Sequence, residues 1–172
     1  MTHVINLFGG PGTGKSTTAA GLFFALKSEG VSCELASEYA KDAVWGETTA
    51  VLRNQIYVFG KQHQRINRLI DKVDYVITDS PLLMSCMYGE HVGEHFLQLV
   101  DIEHRKFNNI NIFLHRQKQY ISAGRLQNEE EARGMDDKLR LLLRFYGVPF
   151  HEVNADRFAP DRIVRNILKI DP

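Results

Sequence analysis

Hydrophobic residues are distributed along the chain in two alternating patterns, short continuous runs and longer stripes at helical spacing. The short runs are apolar at most positions, which is typical of strands buried on both faces of a parallel sheet. Glycine, proline or an acidic residue follows several of them and indicates where the run ends. The pattern predicts strands at residues 3–8, 31–37, 73–81, 109–115 and 148–155.

Between these runs, apolar residues recur every three or four positions, the period of an amphipathic helix. This spacing predicts helices at residues 15–28, 48–70, 135–146 and 161–170. The helix at 48–70 is predicted to be continuous, with one apolar stripe formed by Leu52, Ile56, Phe59, His63, Ile66 and Ile70. The alternation of strands and helices predicts an α/β fold, in which helices cover both faces of a parallel sheet and ligands bind beyond the carboxyl ends of the strands.

The glycine-rich segment after the first strand, GGPGTGKS at residues 9–16, matches the phosphate-loop pattern G-x-x-x-x-G-K-[ST] between a strand and a helix. Its glycines allow successive backbone N–H groups to surround an anion, and the following helix directs its positive end to the same point. We expect Lys15 to bind the β and γ phosphates of a nucleoside triphosphate and Ser16 to ligate Mg²⁺. The candidate nucleotide-binding residues are Gly10, Pro11, Gly12, Thr13, Gly14, Lys15, Ser16 and Thr17.

Asp79 follows the apolar part of the run at 73–81 and is the second candidate ligand for magnesium. A carboxylate at a strand end beside a phosphate loop is the Walker B position, which holds Mg²⁺ directly or through water. Together with Ser16, Asp79 forms the predicted metal site. The alternative is an acidic residue that only ends its strand.

A polar segment after the run at 109–115 carries three arginines and predicts a lid at about residues 116–135. Phosphotransferases surround the transferred phosphoryl group with cations and close a segment over it to exclude water. Arg116, Arg125 and Arg133 are the candidates for this task. In the alternative interpretation the segment is a solvated helix, in which these arginines pair with the acidic residues at 129–131.

Length and composition fit one globular domain, which we assign to residues 1–172. No apolar run approaches the roughly 20 residues that cross a bilayer, and the two cysteines have no metal or redox spacing, so we expect a cytoplasmic protein without membrane contact. Net charge is zero, which argues against broad affinity for DNA. Residues 104–125 contain five cations and no acidic residue: Arg105, Lys106, Arg116, Lys118 and Arg125. We expect these cations to form a positively charged strip at the mouth of the site.

Kinases, GTPase-type switches and ATPase motors all use a phosphate loop. A switch carries an N-K-x-D sequence that reads the guanine base, and this chain has none. A motor of the AAA type would need a longer domain, a second helical subdomain and a glutamate beside Asp79, whereas Ser80 and Pro81 follow Asp79 here. These features, together with the predicted lid, favour a kinase.

The phosphate loop, the segment SEYAKD at 37–42, the run VITDSP at 76–81 and the arginine-bearing lid resemble the small P-loop kinases. These include nucleoside and nucleotide kinases, nicotinamide riboside kinases and kinases of bacteriophage genomes, and the resemblance extends over essentially the whole chain. It implies a three-layer P-loop NTPase fold with five strands in the order 2-3-1-4-5. It also implies transfer of the γ-phosphate of ATP to a hydroxyl group.

The resemblance further implies that the acidic residue after the second strand is the base or anchors the acceptor, and Glu38 is at this position. An attacking alcohol does need a carboxylate at the strand ends opposite the phosphate loop. Many nucleoside kinases have an arginine directly after the acid of strand three, where this chain has Ser80, so the role of base stays open between Glu38 and Asp79. In related kinases the loop after the last strand holds adenine, which assigns Arg157 to ATP binding.

The predicted function is an ATP- and Mg²⁺-dependent kinase that phosphorylates a hydroxyl of a nucleoside, a nucleotide or a modified base. The candidate catalytic residues are Lys15, Glu38, Asp79, Arg116, Arg125 and Arg133. The resemblance to phage kinases adds a variant, a kinase that acts on 5-hydroxymethyluracil within DNA in the cytoplasm of a host. A nucleotide-gated regulatory ATPase is the alternative from another class. We expect a monomer or a homodimer.

Overall fold

The computed structural model describes residues 1–117 and 129–170, and at residues 129–133 it describes the backbone alone. Among these residues, five strands form one sheet in which every pair of neighbours is parallel. The strands are β1 (His3–Phe8), β2 (Cys33–Ala36), β3 (Tyr75–Thr78), β4 (Asn108–His115) and β5 (His151–Asn154). Their order is β2-β3-β1-β4-β5, which confirms the predicted P-loop NTPase type of α/β fold.

Helices connect the strands and cover both faces of the sheet. They are α1 (Lys15–Ser28), α2 (Tyr39–Trp45), α3 (Gln55–Asn67), α4 (Ser85–Tyr88), α5 (Glu94–Arg105), α6 (Glu129–Phe145) and α7 (Ala159–Arg162). Short 3-10 turns lie at Thr49–Arg53, Leu82–Met84 and Glu90–Val92, and a π-helical turn at Ile163–Leu168 follows α7. In the part of the chain that the structure describes, no helix has the length and apolar character that crossing a bilayer requires.

Two apolar cores lie on opposite faces of the sheet, and the central strand β1 contributes to both. On one face, Phe8 packs in a cluster with Phe59 of α3 and Leu139 of α6. On the other face, Leu7 packs in a cluster with Leu22 of α1. All five side chains are at most 5 % exposed. The phosphate loop directly follows β1 and is therefore anchored by both cores.

The predicted helix at 48–70 is divided in the structure. The 3-10 turn at Thr49–Arg53 forms its first part, and α3 begins anew because the side chain of Asn54 accepts the backbone N–H of Tyr57 at 3.1 Å and caps it. The predicted apolar stripe also differs, since Ile56 is 57 % exposed while Gln62 is buried. A local capping interaction thus overrides the continuous hydrophobic period.

Two further helical predictions need correction. The predicted helix at 161–170 begins earlier, at α7, and continues as the π-helical turn at Ile163–Leu168. Helix α5 was not predicted at all, although Phe96, Val100 and His104 form its buried stripe at a spacing of four. The pattern is difficult to detect because a histidine occupies one of its three apolar positions.

The predicted cation strip is not one surface. Arg105 and Lys106 precede β4 and Arg116 follows it, so eight residues of strand separate them by roughly 25 Å. Arg105 is hydrogen-bonded to Asp101 at 2.9 Å, and Lys106 to Glu103 at 2.6 Å. The remaining two cations of the strip, Lys118 and Arg125, lie outside the described residues. Of the described members, only Arg116 lies at the carboxyl edge of the sheet.

Candidate active site

The phosphate loop, residues 9–16, turns sharply between β1 and α1. Gly12 and Gly14 have φ angles of 78° and 103°, in the left-handed region that glycine adopts without strain. The buried Thr13 lies between them, and its hydroxyl donates to the carbonyl of Gly10 at 2.9 Å. A Cβ on Gly9 would lie 2.7 Å from the hydroxyl oxygen of Thr13, so no side chain fits there. The loop has the tight, glycine-dependent backbone that a phosphate nest requires.

Lys15 begins α1, and its ammonium group folds back onto the loop. It donates to the carbonyls of Gly9 and Gly10 at 2.7 and 3.1 Å. Burial lowers the pKa of Lys15, while the negative charges of Glu38 and Asp79 act in the opposite direction. The ammonium group therefore lies within electrostatic reach of both candidate carboxylates.

Asp79 lies directly after β3 and connects the phosphate loop to Glu38. Its carboxylate accepts a hydrogen bond from the Ser16 hydroxyl at 2.5 Å and another from the backbone N–H of Glu38 at 3.1 Å. Asp79 is only 7 % exposed. A serine hydroxyl and a carboxylate in contact are the hard oxygen ligands that Mg²⁺ prefers, so the predicted metal pair fits the ion.

The candidate metal site consists of two residues, Ser16 and Asp79. Among the described residues, no group of three or more histidine, cysteine or acidic side chains is arranged to hold a metal ion. Mg²⁺ at a phosphate loop is generally bound by one or two protein ligands together with substrate phosphates and water.

Glu38 lies two residues beyond β2, at the carboxyl edge of the sheet, and is half-buried. Burial raises the pKa of its carboxyl group; the ammonium group of Lys15 lowers it, and the charge of Asp79 raises it further. Because a general base works best when its pKa approaches the operating pH, this environment favours Glu38 as a proton acceptor.

Helix α3 fixes the backbone around Glu38 through the buried side chain of Gln62. The Gln62 carbonyl oxygen accepts the backbone N–H of Tyr39 at 3.0 Å. Its amide group donates to the carbonyl of Ala36 at 3.4 Å and to the hydroxyl of Thr78 at 3.3 Å. Gln62 thereby joins the ends of β2 and β3 to the start of α2.

Arg65, one turn further along α3, supports the same segment from outside. Its guanidinium group donates to the carbonyl and the hydroxyl of Ser37 at 3.0 and 3.1 Å and also pairs with Asp42. The ring of Tyr39 packs edge-on against Tyr57 with a centroid distance of 5.8 Å, and Arg65 lies 5.5 Å from its centroid. The residues on both sides of Glu38 are therefore held by α3.

Arg116 follows β4 and contacts the phosphate loop. Its guanidinium group donates to the carbonyl of Pro11 at 2.8 Å and pairs with Asp136 of α6 at 3.0 Å, and only 7 % of its side chain is exposed. Asp136 also accepts the backbone N–H of Gly10, at 2.5 Å. Of the other two predicted lid arginines, Arg125 lies outside the described residues, and only the backbone of Arg133 is described, in α6.

A narrow cleft of about 250 Å³ lies between the start of α1 and the loop after β5. Gly14 and Thr17 line it on the side of α1, and Ala155 and Arg157 line it on the side of the loop. The Arg157 guanidinium group lies over the ring of Phe158, 4.5 Å from its centroid. The cleft adjoins the phosphate loop at Gly14, which is where the sequence predicts the adenine ring.

A larger cavity of about 660 Å³ lies among α4, α5 and α6, and its walls are mainly apolar. Its lining includes Met87, Tyr88, Leu97, Met135, Lys138 and Leu142. Burial, and after it the charge of Glu38, raises the pKa of Tyr88 to about 12. Tyr88 therefore lies within electrostatic reach of Glu38, although Glu38 itself is not among the residues that line the cavity.

Gln62 and Asp136 are not among the site residues that the sequence predicts. Gln62 had a detectable signal, because it is a polar residue on the buried stripe between Phe59 and Ile66. Asp136 had none, since its contacts with Gly10 and Arg116 join segments that are far apart in the chain.

Comparison with known proteins provides a family match. The model of the AAA_28 family, described as an AAA domain, matches residues 4–160. This range includes the phosphate loop, Glu38, Asp79, Arg116 and Asp136. No curated protein matches the chain.

Proposed function

The chain belongs to the AAA_28 family of AAA domains, a P-loop NTPase family, and we propose that it is an ATP- and Mg²⁺-dependent kinase with a hydroxyl acceptor. The family supports a nucleotide-binding domain that acts on the phosphates of its ligand. The finer assignment, transfer to an alcohol, rests on the position of Glu38.

The observation that carries the proposal is the hydrogen-bonded chain from Ser16 through Asp79 to Glu38. It fixes the backbone of Glu38, whose carboxyl group has a raised pKa and lies within electrostatic reach of Lys15. Ser80 follows Asp79, so the site has no adjacent glutamate to activate water as in a hydrolytic motor. A base at the end of β2 is suited to the proton of an acceptor alcohol.

In the proposed reaction, the acceptor oxygen attacks the γ-phosphorus of ATP while its proton passes to the Glu38 carboxylate. The bond between the γ-phosphorus and the bridging oxygen breaks, and ADP leaves with that oxygen. Lys15 and Arg116 balance the negative charge of the phosphates. Mg²⁺, held by Ser16 and Asp79, would neutralise charge on the β and γ phosphates when bound.

The acceptor is proposed to be a nucleoside, a nucleotide or a related small molecule with a ring. The apolar cavity of about 660 Å³, whose lining residue Tyr88 lies within electrostatic reach of Glu38, supports this assignment, because small-molecule sites are concave and mostly apolar with a few polar groups. A base within DNA is less favoured, since Arg105 and Lys106 are paired with acidic residues and lie at the opposite edge of the sheet.

A regulatory ATPase is the second candidate function, and the description of the family as an AAA domain favours it. The test is a competition assay with γ-labelled ATP, offered with free nucleosides, nucleotides and 5-hydroxymethyluracil DNA at two salt concentrations. The proposal predicts faster ADP formation when small molecules are added, with the label in a small molecule at either salt concentration.

Other destinations of the label would contradict the proposal. Label in DNA that decreases steeply with salt would indicate the DNA kinase, because release of counterions marks binding to the nucleic-acid backbone. Label found only in inorganic phosphate, with no stimulation by any acceptor, would indicate the ATPase.

A further inference from the structure

Two tyrosines, Tyr88 and Tyr146, line the apolar cavity among α4, α5 and α6, and their hydroxyl groups have different surroundings. The Tyr146 hydroxyl is hydrogen-bonded to the thiol of Cys86, and burial together with this bond raises the pKa of Tyr146. The Tyr88 hydroxyl has no hydrogen-bond partner within residues 1–117 and 129–170. Of the two phenol groups in the cavity wall, the one of Tyr88 is therefore available to a ligand.

The backbone that carries Tyr88 is held by close packing between α4 and α5. Tyr88 is the last residue of α4, and the N–H of the following Gly89 donates to the carbonyl of Ser85 at 2.8 Å. A Cβ on Gly89 would overlap the ring of the buried Phe96, so only glycine permits this approach of the two helices. The Tyr88 side chain thus extends from a fixed point of the cavity wall.

Two walls of the cavity approach the parts of the candidate active site. Burial, and after it the charge of Glu38, raises the pKa of Tyr88 to about 12, so the hydroxyl keeps its proton at neutral pH and can donate a hydrogen bond. In the wall formed by α6, Met135 directly precedes Asp136, which accepts the backbone N–H of Gly10 at 2.5 Å. A molecule in the cavity therefore lies near both the candidate base and the phosphate loop.

We propose that Tyr88 is a specificity-determining residue, whose hydroxyl donates a hydrogen bond to the acceptor in the apolar cavity and orients the reacting alcohol of that acceptor towards Glu38. The inference rests on the proposed kinase function and defines the acceptor more narrowly. The acceptor is an alcohol with a ring that fills the cavity and with a second oxygen or nitrogen atom that accepts the Tyr88 O–H. A site with one such donor discriminates against ligands that leave it unpaired.

The variant Tyr88→Phe removes the hydroxyl and keeps the ring in the cavity wall. We expect the affinity for the acceptor to fall about fivefold to tenfold, the effect of one lost hydrogen bond, and kcat to fall because the alcohol is oriented less well. ATP affinity should stay within about twofold. Thermal stability should not decrease, since the hydroxyl has no partner in the described part of the chain. A purely structural tyrosine would instead affect stability and leave acceptor affinity unchanged.

The experiment is calorimetric titration of wild type, Tyr88→Phe and Tyr75→Phe with the common nucleosides and their 5′-monophosphates. The protein is first saturated with Mg²⁺ and a non-hydrolysable ATP analogue, so that the probes do not occupy the phosphate loop. Tyr75→Phe is the matched control, because it also removes one hydroxyl but Tyr75 begins β3, at the opposite edge of the sheet. Transfer of label from γ-labelled ATP to the same compounds then gives KM and kcat.

The inference predicts weaker binding and higher KM for Tyr88→Phe, with values for Tyr75→Phe within about twofold of wild type. Equal affinities of wild type and a folded Tyr88→Phe protein for every compound would overturn it, and so would a wild-type protein that binds none of them. Failure of the proposed function has a different appearance, a wild-type protein that binds the compounds but transfers no label to them. The measured affinities still decide in that case whether Tyr88 binds the ligand.

Discussion

Asp79 and Glu38 have different surroundings, and these separate the roles that the sequence leaves open between them. The Asp79 carboxylate is committed to the Ser16 hydroxyl and to the backbone N–H of Glu38, which suits a metal ligand in a fixed position. Glu38 is the half-buried carboxyl group with the raised pKa. We therefore propose Asp79 as the ligand of Mg²⁺ and Glu38 as the acceptor of the proton.

The Lys15→Ala substitution tests whether residues 9–16 are the phosphate loop of the site. The Lys15 ammonium group donates hydrogen bonds to two carbonyls of its own loop, so its removal should leave the sheet and helices intact. Phosphoryl transfer should become undetectable, because the charge that binds the β and γ phosphates is lost. Circular dichroism and an ADP-release assay check the two parts, and a folded Lys15→Ala protein with undiminished turnover would contradict the phosphate-loop assignment.

At the scale of elements, helix α3 is the support of the candidate base. Gln62 joins it to the ends of β2 and β3 and to the start of α2, so the position of Glu38 depends on this helix. Hydrophobic periodicity indicates only that Gln62 is a polar residue on the buried stripe of α3; it does not predict its partners or the break at Asn54. Both features depend on specific side-chain hydrogen bonds between segments or at a helix start.

Gln62→Leu should separate the positioning of Glu38 from the binding of nucleotide. The leucine fills the space but leaves the Tyr39 N–H without its buried acceptor, so we expect about 1–3 kcal/mol lower stability and a larger loss in kcat than in ATP affinity. Urea denaturation, calorimetry and turnover measure these quantities. Gln64→Leu, at an exposed position of the same helix, should leave all three close to wild type; equal effects of the two substitutions would remove the special role of Gln62.

The contact between α1 and α7 sets the width of the cleft assigned to adenine. A Cβ on Gly21 of α1 would lie 2.6 Å from the Cγ atom of Pro160, so Gly21→Ala should lower the free energy of unfolding by about 1–3 kcal/mol and weaken ATP binding. Gly60 in α3 has open space around it, and Gly60→Ala should raise the free energy of unfolding by about 0.5–1 kcal/mol. Chemical denaturation measures the change in the free energy of unfolding of each variant. Changes of the same sign would contradict the close contact of Gly21 with Pro160 and the open space around Gly60.

For the whole molecule, the sequence predicts the class of fold better than it predicts which distant residues meet at the candidate site. The strand at 3–8 and the helix at 15–28 have the predicted bounds, because an apolar run, a glycine-rich turn and a helical stripe follow one another without competing signals. The prediction of one cation strip is wrong because the length of β4 separates residues that are close in sequence. The contact of Asp136 with Gly10 spans most of the chain, and only the assembled sheet brings the two residues together.

His104 predicts how the stability of the whole domain depends on pH. This buried histidine of α5 has its pKa lowered to about 4, primarily because burial disfavours the charged form. Because the folded-state pKa lies below the unfolded value of about 6.5, the stabilising effect is complete above pH 6.5 and is lost as the pH falls towards 4. Over this window the loss should be on the order of 3 kcal/mol.

Urea denaturation at pH 7.5 and pH 4.5 measures this effect. His104→Leu should reduce the difference between the two stabilities, because leucine cannot bind a proton in the unfolded state. His95→Leu, at an exposed position of the same helix, should retain the wild-type difference. If His104→Leu and wild type lost equal stability on acidification, the buried neutral histidine would not be responsible.

The most direct measurement of the central claim is phosphoryl transfer by Glu38→Gln, with the destination of the γ-phosphoryl label followed at saturating ATP. Glutamine keeps the size of the side chain but cannot accept the proton of an alcohol, so transfer to the acceptor should fall by ~10²–10⁴. The ATP affinity should stay within about threefold, because the phosphate loop is unchanged. A folded Glu38→Gln protein that transfers the label at the wild-type rate would contradict the assignment of Glu38 as the base of a kinase.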